Sequence, residues 1–421
     1  MQLKKKHKKK AIRGALTTAS CTLLGLSNVA QAENAPWQFD AGVLYYSETD
    51  RVQAIEPVVT GKKDFGDDRW LNLKLVVDLL TGASPNGATP TNTPQTFTRP
   101  SGKGSYTIDA NETPLDDTFR DTRVAVSGSW DQPLGDQLKG SFGANFSTEH
   151  DFLSLGASAS LAYDMNKRNT TLSAGVSFES DTIKPEGGVP TPFASMVPAG
   201  SAQPRDASDD TRTLVDLLFG VTQVINRNMV MQVNYGISTS SGYHTDPYKI
   251  LSVVDGSTGA TTDYVYEHRP DSRNKQSLYW QMKYHLTEDI IDLSYRYLWD
   301  DWGVTSHTLD ATYRWDLGGA KYLEPHVRYY QQSAADFYRV FLIDGAPLPA
   351  EASADYRLAE FTGITLGLKY GTQIKGHDTS VRLEYLSQTG DSSPSEAIGV
   401  LQDQDLYPDL KALMLQFRYT F

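Results

Sequence analysis

Ala412-Leu413-Met414-Leu415-Gln416-Phe417-Arg418-Tyr419-Thr420-Phe421 closes the sequence and decides the reading of its fold. Side chains alternate between the two faces of an extended strand. Leu413, Leu415, Phe417, Tyr419 and Phe421 therefore share one face, and Ala412, Met414, Gln416, Arg418 and Thr420 the other. One face suits lipid and the other a polar lumen. A soluble sandwich has room for one such strand, but the same one-sided polarity returns upstream. Val381-Leu383-Tyr385 opposes Arg382-Glu384, Leu309-Ala311-Tyr313-Trp315 opposes Asp310-Thr312-Arg314, and Leu293-Tyr295-Tyr297-Trp299 opposes Asp292-Ser294-Arg296. Leu278-Trp280-Met282-Tyr284 opposes Tyr279-Gln281-Lys283, and Leu153-Leu155-Ala157-Ala159-Leu161-Tyr163 opposes Ser154-Gly156-Ser158-Ser160. Arginine and aspartate recurring on one face are hard to place in a dry core.

Working outward, the alternation predicts sixteen strands near 37–47, 50–60, 68–81, 117–130, 137–148, 152–163, 169–180, 211–225, 229–241, 274–285, 289–299, 304–315, 320–333, 356–371, 377–389 and 409–421. Short turns such as Asp131–Asp136, Asp164–Arg168 and Gly371–Gly376 interleave with long polar connections at Gly82–Leu115, Asp181–Asp210, Gly242–Arg273, Ala334–Asp355 and Thr389–Pro408. Short periplasmic turns and longer outer loops are the usual asymmetry of outer-membrane barrels. The expected fold is all-β, a transmembrane antiparallel β-barrel of about 16 strands, whose even count brings both chain ends to the periplasmic side.

The start of the chain is read as an export signal over residues 1–32, with the barrel in 33–421. Lys4 to Lys10 are almost all basic, Ala11 to Val29 are mostly apolar, and Ala30-Gln31-Ala32 places small residues at the two positions a signal peptidase reads, so cleavage is expected after Ala32. The lone cysteine, Cys21, lies in that leader, which leaves no disulfide or thiolate metal site for the barrel. Loss of seven basic residues and no acidic ones moves the formal net charge from −12 to −19. A surface that acidic repels nucleic acid. The partners expected instead are outer-membrane lipid and lipopolysaccharide, the barrel-assembly machinery and a small hydrophilic solute.

Alternation also nominates the lumen. Arg296, Arg314, Arg328, Arg382 and Arg418 fall on the inward face with Asp292, Asp310, Glu324 and Glu384. Adjacent strands lie about 4.8 Å apart, so these side chains reach one another and form a charged belt. The loops 181–211, 334–356 and 389–409 hold fourteen acidic residues, among them Asp181, Asp206 and Asp355, against three basic ones, Lys184, Arg205 and Arg339. That excess predicts a rim that concentrates cations.

Several segments resemble a family of uncharacterised bacterial outer-membrane proteins known as a domain of unknown function. They are Val77-Asp78-Leu79-Leu80-Thr81-Gly82-Ala83-Ser84-Pro85-Asn86-Gly87, Tyr243-His244-Thr245-Asp246-Pro247-Tyr248-Lys249, Tyr266-Glu267-His268-Arg269-Pro270-Asp271, Tyr295-Arg296-Tyr297-Leu298-Trp299-Asp300-Asp301-Trp302-Gly303, and Tyr329-Tyr330-Gln331-Gln332-Ser333-Ala334-Ala335-Asp336-Phe337-Tyr338. The resemblance implies a barrel and carries over no catalytic residue. Most of these segments map to the outer ends of strands. There Asp246, Glu267, Arg269, Asp271, Asp300, Asp301, His307 and Asp336 either gather as a ligand or ion site or tie the loops together through turns and salt bridges, and the second reading is preferred.

Catalysis finds little support. Ser306 and His307 are strand neighbours and point to opposite faces, and no His-Glu-x-x-His or Gly-x-Ser-x-Gly occurs. Asp206, Asp209 and Asp210, or Asp403 and Asp405, do not reproduce the twelve-residue calcium loop. The expectation is therefore a channel or porin-like barrel for small hydrophilic solutes or ions, with no cofactor, no metal and no enzyme activity. A plugged barrel serving as an interaction scaffold is the alternative, and a barrel-borne hydrolase ranks third.

Overall fold

The computed structural model describes residues 37–117 and 120–421, so the expected cleavage after Ala32 lies outside the described residues. Sixteen antiparallel strands close into a barrel: β1 (Gln38–Glu48), β2 (Gln53–Asp64), β3 (Trp70–Thr81), β4 (Arg120–Pro133), β5 (Leu138–Thr148), β6 (Phe152–Met165), β7 (Thr170–Ile183), β8 (Asp210–Asn226), β9 (Met229–Gly242), β10 (Ser272–His285), β11 (Ile290–Asp300), β12 (Thr305–Gly318), β13 (Lys321–Gln332), β14 (Phe361–Ile374), β15 (His377–Gly390) and β16 (Leu410–Thr420). Each strand pairs with the next in sequence. The last returns to the first, from Asp40↔Thr420 to Glu48↔Ala412, which leaves no free edge.

The outward face is the apolar one in every sector. Leu155, Phe178, Phe219, Leu366, Leu383 and Phe417 are all exposed, as side chains facing lipid must be. Seven tight turns join the strands at one end, the shortest being two residues such as Lys375-Gly376, both with positive φ (54° and 84°), the backbone that matches hairpin twist. At the other end run eight loops: L1 (49–52), L2 (82–119), L3 (149–151), L4 (184–209), L5 (243–271), L6 (301–304), L7 (333–360) and L8 (391–409). An aromatic girdle marks the periplasmic interface, where Phe39 stacks on Trp37 (5.7 Å) and on Phe421 (5.8 Å).

Several strands start later than their alternation suggests, and two of the delays have a visible cause. β2 begins at Gln53 because Asp50 takes a left-handed conformation (φ 56°) and the Glu48 N–H donates to the Val52 carbonyl (2.6 Å), closing L1 as a turn. At its far end Lys62 lies 4.1 Å over the Trp70 ring and extends the strand to Asp64. β14 begins at Phe361 because the Asp355 carboxylate accepts the Arg357 N–H (3.1 Å) and caps a short 3-10 turn at Tyr356–Leu358.

The hydrophobic core sits in the loops, because the barrel encloses polar residues. L5 contributes an antiparallel pair, Ile250–Val254 with Thr261–Tyr266, and Phe341–Ile343 of L7 adds in parallel to Ile250–Val254. Leu251 and Val254 are fully enclosed; Leu401 of L8 packs with Val254, and Phe97 of L2 packs with Ile250 and Tyr266 of L5. L4 joins by backbone bonds from Phe193 N–H to Tyr266 O (3.1 Å) and from Met196 N–H to Tyr264 O (2.8 Å). Five loops rooted around the rim thus share one roof over the mouth.

Candidate functional site

Beneath the roof the lumen has two unlike walls. Inward positions of β5, β6 and β7 are mostly small, being Ser141, Gly143, Asn145, Ser154, Gly156, Ser158, Ser160, Ser173, Gly175 and Ser177, with charged side chains such as Lys139 and Glu179 among them. The wall from β12 to β15 carries long charged side chains in a connected ladder. Arg328 Nε donates to Asp310 (2.7 Å), and His326 reaches Asp310 with Nε2 (3.0 Å) and Glu384 with Nδ1 (2.7 Å). Arg382 pairs with Glu384 (3.3 Å) and Glu324 (2.9 Å), and Lys369 with Glu324 (3.4 Å).

The ladder depends on a missing side chain. His326, Gly367 and Glu384 occupy one rung on β13, β14 and β15, and His326 bonds Glu384 across the intervening strand. A Cβ at Gly367 would stand 2.8 Å from Glu384 Cγ, so only glycine leaves the crossing open.

All nine lumen residues nominated by the sequence face inward, but they do not form one belt. Asp310, Glu324, Arg328, Arg382 and Glu384 belong to the ladder. Asp292 pairs instead with Lys283 (3.1 Å), and Arg418 with Asp40 (2.9 Å). Arg314 lies 3.7 Å over the Tyr322 ring and Arg296 5.7 Å over that of Tyr279, cation–π contacts in place of carboxylate partners. His326 and Lys369, which complete the ladder, escaped the sequence reading although their strand parity gave them away.

At the mouth the eight nominated residues divide. Asp246, Glu267 and Arg269 meet in a network with buried Asp355 and more exposed Arg357, two residues not nominated as mouth residues. Arg269 donates to Glu267 (2.6 Å) and Asp355 (2.9 Å), and Arg357 to Asp355 (2.5 Å) and Asp246 (2.7 Å). The Asp246 N–H donates to Glu267 (2.7 Å), and the Ser353 hydroxyl caps the other Glu267 oxygen. Lys249, also buried, donates to Ser84 Oγ (3.3 Å) and the Pro85 carbonyl of L2. Burial pushes the Glu267 carboxyl upward against the pull of Arg269. Asp355, which burial alone would raise, is held well below the usual carboxylate range by Arg357, Arg269 and Lys249.

Asp300 and Asp301 sit apart from that network. Asp300 binds Arg273 (2.5 Å) and accepts the Trp302 and Val304 N–H groups, while Asp301 binds Asn274 (2.7 Å). Asp336 is an exposed neighbour of this corner through its N–H to the Trp302 carbonyl (2.8 Å). Asp271 contributes its carbonyl to the Gly242 N–H (2.8 Å). His307 is a correction: it shares the parity of Leu309, so it faces outward, bonds the Tyr295 hydroxyl (2.7 Å) and joins the outer aromatic girdle. The acidic rim also needs correcting, because Asp181 is buried against Arg212 (2.6 Å) and Asp355 lies inside the network, so neither belongs to the solvated surface.

Among the described residues one acidic group has metal-ligand spacing, Asp121, Glu149 and Asp151, whose oxygens lie within 4.8 Å of one another. The Tyr248 hydroxyl already donates to Asp151 (2.6 Å).

A family model matches residues 13–421, nearly the entire chain. The chain belongs to the family described as "Protein of unknown function (DUF3570)". No curated protein shows significant similarity to it. Solved structures similar to this member include the ferric enterobactin receptor of Pseudomonas aeruginosa in complex with enterobactin, at 9% identity and a TM-score of 0.44, over 85% of this chain and 55% of the receptor. The siderophore receptor PirA of Acinetobacter baumannii matches at 11% identity and 0.43, over 86% and 54%. A bacterial polysaccharide outer membrane secretin matches at 8% and 0.43, over 93% and 99%. The chain spans about half the length of the siderophore receptors.

Proposed function

We propose that this protein is a gated outer-membrane conduit for small hydrophilic solutes or ions, shut at its outer end in the state described. One observation carries the reading. Lumen side chains stay open to solvent beneath a bridged mouth: Arg328, Arg418 and Lys283 are 52%, 59% and 47% exposed although they point inward. A sixteen-stranded barrel is wide enough for water, and a wet charged chamber is what a permeating solute requires. The roof makes free diffusion a poor description of the resting state.

The test is single-channel conductance in planar bilayers, comparing the wild type with a variant whose residues 250–266 are replaced by a short Gly-Ser linker. Heat-modifiable migration confirms that each barrel is folded. Wild type should be closed for most of the record, and the shortened barrel should conduct steadily. A folded shortened barrel that stays silent refutes the conduit. The interaction scaffold would then take its place, a reading favoured by the dry core that the roof loops share.

A further inference from the structure

We propose that a charge cluster shared by L5 and L7 is the lock of the roof: Asp246, Lys249, Glu267 and Arg269 on L5, with Asp355 and Arg357 on L7, keep the two loops together, and losing a charge that pairs across the loops parts them. This inference rests on the conduit reading and deepens it by naming what holds the gate shut. Three carboxylates face three cations, so the cluster is balanced only when complete. Every direct ion pair between the two loops in this cluster passes through Asp355 or Arg357. A buried ion set contributes little net stability when whole, yet removing one partner strands a charge away from water, which is strongly destabilising. The two pairs that cross between the loops, Arg269–Asp355 and Arg357–Asp246, are therefore the ones whose loss releases the lock.

L5 and L7 also meet through three parallel rungs from Ser252↔Phe341 to Val254↔Ile343, the apolar clusters around Leu251 and Val254, the Asp344 N–H to the Val254 carbonyl (2.8 Å), and an antiparallel pair at His268 and Ala352 with His268 Nδ1 donating to the Ala350 carbonyl (2.8 Å). Arg357 is the accessible member, 42% exposed where Arg269 is 10% exposed. A substitution there leaves the surface hydrated while depriving both Asp355 and Asp246 of a partner.

The backbone supplies a second handle. His268 and Ala352 exchange both N–H···O bonds (3.0 and 2.9 Å), a pairing that sets Cα atoms about 5.5 Å apart, within disulfide reach. With Cys21 removed by the expected cleavage, H268C/A352C would be the mature protein's only cysteines.

The experiment uses folded full-length barrels in two measurements. Hydrogen–deuterium exchange on Arg357→Ala should show faster exchange in 243–271 and 333–360 together, roughly tenfold or more, with the barrel strands β6 and β7 unchanged. In bilayers the same variant should open roughly tenfold more often than wild type. Oxidising H268C/A352C in that background should return it to the wild-type level, and reduction should restore opening. Arg357→Ala that exchanges like wild type overturns the lock whatever the conductance shows. So does an oxidised cross-link that leaves openings unaltered while the linker-shortened barrel conducts. If the shortened barrel is silent but Arg357→Ala loosens both loops, the conduit falls and the lock stands as the tie of a fixed cap.

Discussion

Gly367→Ala should cost the barrel about 2 kcal/mol, and nearly all of it should vanish when His326 is absent. The added methyl would lie 2.8 Å from Glu384 Cγ and 2.9 Å from its Oε1, so Glu384 must rotate away and release His326 Nδ1, now 2.7 Å distant. A hydrogen bond to a charged group contributes roughly 1.5–3 kcal/mol, and both partners are shielded, with side chains 6% and 15% exposed. Urea unfolding from lipid vesicles, followed by tryptophan fluorescence, measures the loss. The decisive form is a double-mutant cycle with His326→Ala. Gly367→Ala should then cost only a few tenths of a kcal/mol, because Glu384 is free to move. Costs that add to within about 0.5 kcal/mol would show that the glycine does not serve the His326 crossing.

Trp302→Ala should loosen L6 and L7, because Trp302 packs on Phe337 (5.0 Å) and under Arg273 (4.2 Å) while donating to the Ser272 carbonyl (2.8 Å); deleting a buried tryptophan costs about 3–5 kcal/mol, and unchanged protease resistance of L7 on intact cells would contradict it. Deleting Phe421 should lower the folded, heat-modifiable fraction, since it stacks on Phe39 and exchanges both backbone bonds with it (2.9 and 2.8 Å); an unaltered yield counts against the assignment. Asp355→Asn should damage the roof far more than Glu267→Gln. Asp355 has a depressed pKa, so its stabilisation is full above the ordinary aspartate range, near pH 4, and fades as pH falls below it. Glu267 has a raised pKa, so its neutral form is the better tolerated one. Limited proteolysis of L5 and L7 at neutral pH ranks the two, and equal sensitivity would contradict the opposite shifts.

Strand parity made the barrel legible, because a wall one residue thick must satisfy lipid and water at alternate positions. The same rule placed Arg328 and Asp310 inward, and applied consistently it would have sent His307 outward beside Leu309. Partners were another matter. Arg314 ends over Tyr322 and Asp292 beside Lys283, choices fixed by register and by gaps such as Gly367 that parity alone does not reveal. The loop network was half legible. Asp246, Glu267 and Arg269 stood out in the turn-rich segments around Pro247 and Pro270, whereas Asp355 and Arg357 lie 86 or more residues further on. Only the folding of L7 over L5 brings them near. Polar composition suggested solvated loops, and the apolar residues that roof the mouth, such as Leu251, Phe341 and Leu401, are too scattered in sequence to signal a shared core.

Bulk on β12 to β15 stands across the barrel from the hydroxyl-rich wall of β5 to β7, so the lumen is lined unequally. In the proposed conduit, strand number would therefore overstate the usable width, and a solute would pass serines on one flank with the charged ladder on the other. Such a path would sort molecules by the orientation of their dipoles as much as by their size, since one side of each would meet hydroxyls and the other guanidinium and carboxylate.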